Sequence, residues 1–159
     1  MNYATLFDTI KGYVENDFPD TQFTGSSGSA STFTSKEQID TFIQQAEQRI
    51  YNSVQFPALR KNVTGTTTAS NKYLASPPDF LASYSMAIVN GSGDYEYLLN
   101  KDVNYIREAY PSASTTGVPK YYALFDNNSF ILGPSPDDAY SVELHYFYYP
   151  ESIVTASRS

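Results

Sequence analysis

The spacing of apolar residues changes once along this chain, close to residue 60. Before that point apolar residues recur every three to four positions, which is typical of amphipathic helices. After it, short runs rich in β-branched and aromatic residues alternate with turn residues, which is typical of antiparallel strands. The pattern predicts an α+β fold, with N-terminal amphipathic helices followed by an antiparallel β-sandwich or barrel that has one short inserted helix.

The predicted helical part covers residues 1–59. Its first helix spans 3–18, and one face of it carries the apolar residues Tyr3, Leu6, Phe7, Ile10, Tyr13 and Val14. Pro19 ends it because the residue before a proline is pushed out of the helical region. The Gly/Ser-rich segment 24–33 follows and predicts a flexible loop.

The second helix has a clear start signal. Thr34 and Glu37 have the spacing of a capping box, an apolar stripe follows at helical spacing, and Pro57 ends the pattern. Two amphipathic helices in succession need a partner surface to bury both stripes.

Residues 60–150 are predicted to form the antiparallel β domain, followed by a tail over 151–159. Turn signals at 90–93 and 126–128 separate pairs of strand-like runs, and the short inserted helix is predicted over 101–110. Strands of four to eight residues joined by short turns favour a sandwich or a barrel.

The composition narrows the function. The chain has 159 residues and no Cys, so disulfides are excluded. Its net charge of −7 disfavours general, sequence-independent binding to nucleic acid. Tyr is abundant (15 copies), and a charged fraction of 17% is low for a free-standing monomer, which favours a subunit with covered faces. No run approaches the roughly 20 apolar residues of a membrane span, and the first five residues lack a signal-peptide pattern. We therefore expect no membrane association and a protein that is intracellular or assembled from an intracellular pool.

No set of residues has the pattern of a catalytic, metal or cofactor site. His145 is the one histidine and lies in a strand pattern without a nucleophile or an orienting partner in motif relation to it. Asp126 begins a segment like a calcium loop that lacks the later Gly and Glu, and Asp137 and Asp138 follow a proline as turn residues do. The chain is therefore predicted to be a structural protein, not an enzyme, without metal or cofactor.

Six segments together point to a family. They are a capped helix at 35–43, an aromatic-Pro segment at 55–60, Tyr-Leu followed by Pro-Pro-Asp-Phe-Leu at 73–81, Gly-x-Pro-x-Tyr-Tyr at 117–122, Leu-x-Pro-x-Pro at 132–136, and an aromatic run closed by Pro at 146–150. In this order and spacing they resemble the head-to-tail adaptor proteins of short-tailed phages, also called head-completion or connector proteins.

The resemblance implies a virion protein at the head-to-tail junction. Such proteins are ring subunits, usually dodecameric, that dock beneath the portal protein and seat the tail nozzle protein, while genomic DNA passes without sequence-specific binding. Family members usually continue with further helices, so we expect the helices of this chain to be completed by neighbouring copies or by residues beyond Ser159.

Two polar loops are the predicted partner contacts, because long exposed polar loops commonly carry binding residues. The residues are Gly25, Ser26, Gly28, Ser29, Ser112, Ser114 and Thr116.

Two other functions remain open on the residues alone. One is a carbohydrate- or surface-binding β-module of a tail or secreted protein, suggested by the Tyr-rich strands. The other is a small hydrolase that uses Asp137, Asp138 or His145.

Overall fold

The computed structural model describes residues 2–24 and 30–156, with the backbone alone at positions 23, 24, 30 and 31. The chain divides into two compact units. The helical unit is formed by Met1–Val54 together with Glu151–Ser159, and the β unit is formed by Gln55–Pro150.

Helix α1, Tyr3–Val14, is shorter than the sequence pattern predicts. The side chain of Asn2 caps it by accepting the Thr5 N–H, and the left-handed Glu15 (φ 52°) ends it. The pattern extends to residue 18, but the Asn16 side chain accepts the Phe18 N–H at 2.9 Å. Such a local side-chain bond competes with the helical ladder, and the helix therefore stops before Pro19 can act.

Helix α2, Ser35–Ser53, begins as predicted. The Thr34 side chain accepts the Glu37 N–H at 3.3 Å, and Glu37 accepts the Thr34 N–H at 2.8 Å, which completes the capping box. The bonds from the backbone and the hydroxyl of Thr34 lower the pKa of Glu37.

A two-stranded hairpin lies between these helices. Strands β1, Thr21–Thr24, and β2, Ala30–Phe33, pair antiparallel with Gln22 opposite Thr32. The sequence predicts a loop over 24–33, and the structure differs at both ends of that range. Thr24 at one end of the range and Thr32 and Phe33 at the other are residue types that favour strands. At these positions the strand preference outweighs the loop preference of the Gly/Ser-rich residues between them.

The β unit contains two four-stranded sheets and a short helix. The first sheet has the order β3 (Arg60–Thr66), β10 (Ser141–Tyr148), β5 (Phe80–Val89), β6 (Tyr95–Tyr97). The second has the order β4 (Tyr73–Ala75), β9 (Ser129–Gly133), β8 (Tyr121–Asp126), β7 (Leu99–Asn100). Helix α3 is Val103–Ala109, and a 3₁₀ turn at Pro57–Leu59 precedes β3. All pairs are antiparallel except β7–β8. The predicted α+β class with a sandwich-like arrangement is confirmed.

The core of the β unit lies between its two sheets. Met86, Ile88 and Leu144 from the first sheet pack with Phe130 and Leu132 from the second, all of them buried. This inward set follows the alternation of strand residues. On the other face of the second sheet, Ile106 of α3 packs on Ala123 and Ile131, so the short helix predicted at 101–110 covers that sheet.

Gly133 lies where α3 approaches β9 most closely. A Cβ at this position would come within 2.9 Å of both Ile106 and Tyr110. We expect Gly133→Ala to lower the free energy of unfolding by about 2 kcal/mol, since overpacking forces neighbouring groups to move. Urea denaturation followed by circular dichroism measures it. Gly65→Ala, in a strand position with nothing within 4 Å, is the matched control, and an equal loss in both variants would contradict the steric explanation.

Candidate functional site

The helical unit has an apolar groove between its two helices. The groove has a volume of about 680 Å³, and one carboxylate lies among its apolar lining. The lining residues are Leu6, Ile10, Val14, Phe18, Phe42, Ile43, Ala46, Glu47, Ile50 and Ile153. Seven of them belong to the apolar stripes that the helical spacing predicts. Phe18 and Ile153 are added from outside the two helices, and Glu47 comes from the face of α2 that the spacing predicts to be polar.

The groove is not filled by the helices themselves. No residue of α1 is fully buried, and in α2 only Ile39 and Ile43 are. Val14, Phe42 and Ile50 are 54%, 51% and 49% exposed. Contiguous exposed apolar side chains of this size commonly mark an interaction surface. The groove is therefore the strongest candidate for a contact with another molecule.

Contacts at both ends of the helices hold the groove in shape. At one end the Tyr3 hydroxyl donates to Asp40, which also pairs with Lys36, so the start of α1 is tied to α2. Burial and the bond to Asp40 raise the pKa of Tyr3. At the other end the Ile153 N–H donates to Glu47 Oε1 at 3.1 Å, which holds the C-terminal segment against α2.

Three residues of the predicted α1 stripe lie outside the groove. The sequence places Tyr13 on the apolar face, but its side chain is 87% exposed and does not line the groove. Tyr3 and Phe7 line a smaller hollow beside Lys36. The stripe covers more than one side of the helix, so only its Leu6–Ile10–Val14 edge faces the groove.

The predicted contact loop at 112–116 is exposed and internally bonded. The hydroxyls of Ser112 and Ser114 lie 2.7 Å apart, and Thr116 forms a β-bridge with Ser135. The loop is thus held at its C-terminal end and presents hydroxyls to solvent. The other predicted contact residues, Gly25, Ser26, Gly28 and Ser29, lie outside the described residues.

Comparison with known families matches residues 1–158 to the SU10 adaptor protein. The chain belongs to the SU10 adaptor protein family. It is a phage structural adaptor protein and a virion component, which agrees with the resemblance to head-to-tail adaptors. A search of the curated proteins finds no match for this adaptor.

The residues considered for catalysis or for metal binding lie in strands, turns and bends of the adaptor. His145 is on β10, with its ring 5.1 Å from that of Tyr84. Asp126 is the last residue of β8 and opens the β8–β9 hairpin turn that the turn signal predicts, where it accepts the Asn128 N–H at 2.7 Å. That bond lowers the pKa of Asp126. Asp137 accepts the Tyr140 hydroxyl, a bond that with burial raises the pKa of Tyr140 to about 12.

The described part of the adaptor has neither a cluster of metal ligands nor a membrane-spanning helix. Across 2–24 and 30–156, no three His, Asp or Glu residues come together as metal ligands would. Over the same ranges, no helix combines the length and the apolar character that crossing a membrane requires.

A cationic side chain is held between aromatic rings on the outer face of the first sheet. The Arg60 guanidinium lies 4.1 Å from the Tyr84 ring centre and 5.0 Å from that of Phe147. Tyr84 is the extra residue of a β-bulge opposite the His145–Tyr146 step, and bulges of this kind redirect a side chain. Sequence reasoning missed this arrangement because the bulge depends on pairing between distant strands.

A partly buried carboxyl group in the β unit makes stability depend on pH. Asp79 accepts the Tyr146 hydroxyl at 2.8 Å and pairs with Lys61 at 2.7 Å. Partial burial alone raises the pKa of Asp79, but the bonds from Lys61 and Tyr146 outweigh it, so this pKa lies below its usual value. Burial and the bond to Asp79 raise the pKa of Tyr146 to about 12.

We expect the adaptor to lose stability in acid partly through Asp79. A carboxyl whose pKa is lowered on folding stabilises the fold above its unfolded pKa, about 3.9, and this contribution is lost as the pH falls through the lower, folded pKa. The unfolding temperature, measured at a series of pH values from 7 down to 2, should therefore fall less steeply in Asp79→Asn than in the wild type. Asp94→Asn, in the exposed β5–β6 turn, is the control, and parallel curves for all three proteins would refute this assignment.

Proposed function

We propose that this adaptor is one subunit of a homo-oligomeric ring between the portal protein and the tail nozzle protein, along the path of the genome. The observation that carries the proposal is the open apolar groove of the helical unit. A protein that acts alone in water rarely leaves such a groove uncovered, whereas a ring subunit buries faces against both neighbours.

The size of the groove suits a subunit contact. Completing the burial of Val14, Phe42 and Ile50, each about half exposed, contributes on the order of 1 kcal/mol per residue. A ring repeats that contribution at every contact, so moderate contacts close into a stable assembly. The dodecameric copy number expected for the family is part of the proposal.

The charge of the adaptor suits a channel for DNA. A net charge of −7 disfavours retention of phosphate groups, which binding proteins neutralise with clustered Lys and Arg. We infer that the genome passes the ring without sequence-specific binding. The same proposal assigns the adaptor no catalytic step.

The portal and nozzle contacts are assigned to the polar loops. Ser112, Ser114 and Thr116 present hydroxyls that bond equally well to a partner backbone or to water, so they can dock without leaving buried polar groups unpaired. The segment 25–29 is assigned the same role on the basis of its sequence. Assembly in the host cytoplasm and a final position at the head-to-tail junction complete the proposal.

Electron microscopy and native mass spectrometry of the purified adaptor test it. The expected result is a closed ring that co-sediments with the portal protein of the same phage. The variant Ser112→Glu/Ser114→Glu should keep the ring but weaken its binding to the portal. An adaptor that stays monomeric at all concentrations, and also in the presence of the portal protein, would overturn the proposal.

A carbohydrate-binding function has one observation in its favour. Tyr95 and Tyr97 on the edge strand β6 are 50% and 70% exposed, and Tyr97 adjoins a hollow with Asn62, Glu143 and His145. Exposed aromatic rings beside hydrogen-bonding groups can bind sugars. A glycan array in which the wild type binds and Tyr97→Ala does not would support this alternative, and an array without binding would remove it.

A further inference from the structure

The β1–β2 hairpin has no further strand beside it. Among the residues that the structure describes, β1 and β2 form a sheet of their own, and neither pairs with a strand of the other two sheets. An isolated two-stranded hairpin is marginally stable in water, because too few of its groups are covered. Among the described residues, no strand therefore covers either outer edge of the hairpin.

The base of the hairpin is fixed to α2. The Ser35 N–H donates to Asp20 at 2.8 Å, and the Ser35 hydroxyl donates to the Asp17 carbonyl at 2.9 Å. The Gln38 amide donates to the carbonyls of Pro19 and Phe33 at 2.9 and 3.3 Å. These four bonds hold both ends of the hairpin on the first turns of one helix. The hairpin is thus an arm with a set direction, which lowers the entropic cost of binding.

Strand β3 is the longest free edge of the two large sheets. It has seven residues and, among the residues that the structure describes, pairs only with β10, whereas the other edge strands, β4, β6 and β7, have two or three. The Thr67 N–H donates to the Tyr140 carbonyl at 2.9 Å. This bond continues the β3–β10 register, so the odd-numbered residues of β3 direct their backbone N–H and C=O groups towards β10. Because these groups alternate between the two sides of a strand, the even-numbered residues direct theirs away from β10. Asn62 and Thr64 therefore offer backbone donors and acceptors to an additional strand.

An apolar cleft lies beside this edge. It has a volume of about 260 Å³ and lies where β3 and β4, the edge strands of the two sheets, leave the sandwich open. Val63, Leu74, Pro77 and Pro78 line it, and Val63 is 38% exposed. A strand added to β3 would place alternate side chains over the cleft and the others over the outer face of the sheet.

We propose that the β1–β2 hairpin of one copy adds to the β3 edge of the neighbouring copy and extends its first sheet. The proposal rests on the proposed ring and names a second contact in it. Donor and acceptor are different parts of the same chain, so the contact is head-to-tail, the kind that closes into a ring when repeated. A four-residue strand of about 13 Å fits within the seven-residue edge of about 23 Å.

The composition of the hairpin also favours this partner. The described side chains of its strands, Thr21, Gln22, Thr32 and Phe33, carry no charge. They can therefore lie beside Lys61 and the apolar cleft without burying an unpaired carboxylate. Backbone pairing supplies the affinity in such strand addition, and the side chains over the cleft supply the register.

Cross-linking between two differently tagged copies tests the proposal, since the chain has no Cys of its own. One copy carries Thr64→Cys, and the other carries Gln22→Cys or Thr21→Cys, which lie on opposite faces of the hairpin. After co-expression and mild oxidation, we expect a disulfide between tags whose yield differs about tenfold between positions 21 and 22, because neighbouring strand residues point in opposite directions. Thr32→Cys shares the face of Gln22 but lies on β2, one strand further from the β3 edge, so its yield should be low when β1 is the added strand.

Three outcomes would overturn the proposal. Intact rings without any cross-link exclude strand addition but leave the ring in place. Equal yields at positions 21 and 22 indicate random contact. In a further variant that carries both Thr64→Cys and Gln22→Cys in one copy, a cross-link formed only within that copy places the hairpin on its own β unit. If the unsubstituted adaptor forms no ring, the proposed function itself has failed, which is a different result.

A proline variant gives a second readout. Thr64→Pro removes an N–H that points to the free edge, so the β unit should unfold at an unchanged temperature while rings dissociate at about tenfold higher concentration. Val63→Pro is the matched control, because it removes an N–H on the β10 side and should lower the unfolding temperature. Unchanged ring dissociation in a folded Thr64→Pro variant counts against strand addition.

Discussion

Phe42→Asp is expected to convert the adaptor ring into free subunits. Phe42 lines the groove, its ring centre lies 5.9 Å from that of Phe18, and it is half exposed in the single chain. A carboxylate there must be desolvated when a neighbour covers the groove, which costs about 3 kcal/mol per contact. Each contact should therefore weaken by about 100-fold, as measured by analytical ultracentrifugation over a dilution series.

The control for this variant is Gln44→Asp. Gln44 is exposed on the same helix but does not line the groove, so it adds the same charge without entering the contact. Circular dichroism should show equal helix content in both variants, because neither position is buried in the single chain. Rings that survive Phe42→Asp unchanged, or that fall apart equally in both variants, would contradict the assignment of the groove.

Phe130→Ala is expected to lower the free energy of unfolding by about 4 kcal/mol. Phe130 is fully buried between the two sheets, with ring centres of Phe80 and Tyr122 at 5.1 and 6.1 Å. Its removal loses the transfer free energy of the ring and leaves a cavity that the surrounding strands cannot fully close. Urea denaturation of the assembly-deficient Phe42→Asp background separates this loss from any effect on the ring.

The neighbouring strand provides the control for the core variant. Leu124 lies opposite Phe130 in the β8–β9 register but is 46% exposed. Leu124→Ala should cost about 1 kcal/mol or less, since much of its side chain is already in water. Similar losses at both positions would mean that the space between the sheets is not the stabilising core.

The sequence predicts best where one local interaction decides the structure. The capping box at Thr34 sets the start of α2, and the turn at Asn90 joins β5 to β6 as expected. Both depend on residues within a few positions of each other. The predicted end of α1 is wrong for a related reason. Pro19 is the more conspicuous stop signal, but the Asn16 side-chain bond lies nearer the start of the chain and ends the helix first.

Features that depend on distant residues were not predictable in this way. Val63 and its neighbours form the strand that their β-branched residues favour, but the free edge of this strand is defined only by its place beside β10. Ile153 lies in a polar tail in the sequence, and only the tertiary structure brings it to the groove. The apolar stripes were predicted as two unburied faces, but the groove they form depends on how α1 and α2 are tied together at Tyr3.

The pairing of β3 with β10 also has a consequence for modularity. Arg60 lies opposite Phe147, so the β unit begins and ends on adjacent strands that run in opposite directions. A segment whose two ends lie side by side can be exchanged for another of the same kind, or for a short turn, without lengthening the chain on either side. Residues 55–150 thus form an insertable cassette, and related adaptors could exchange it while retaining the same helices.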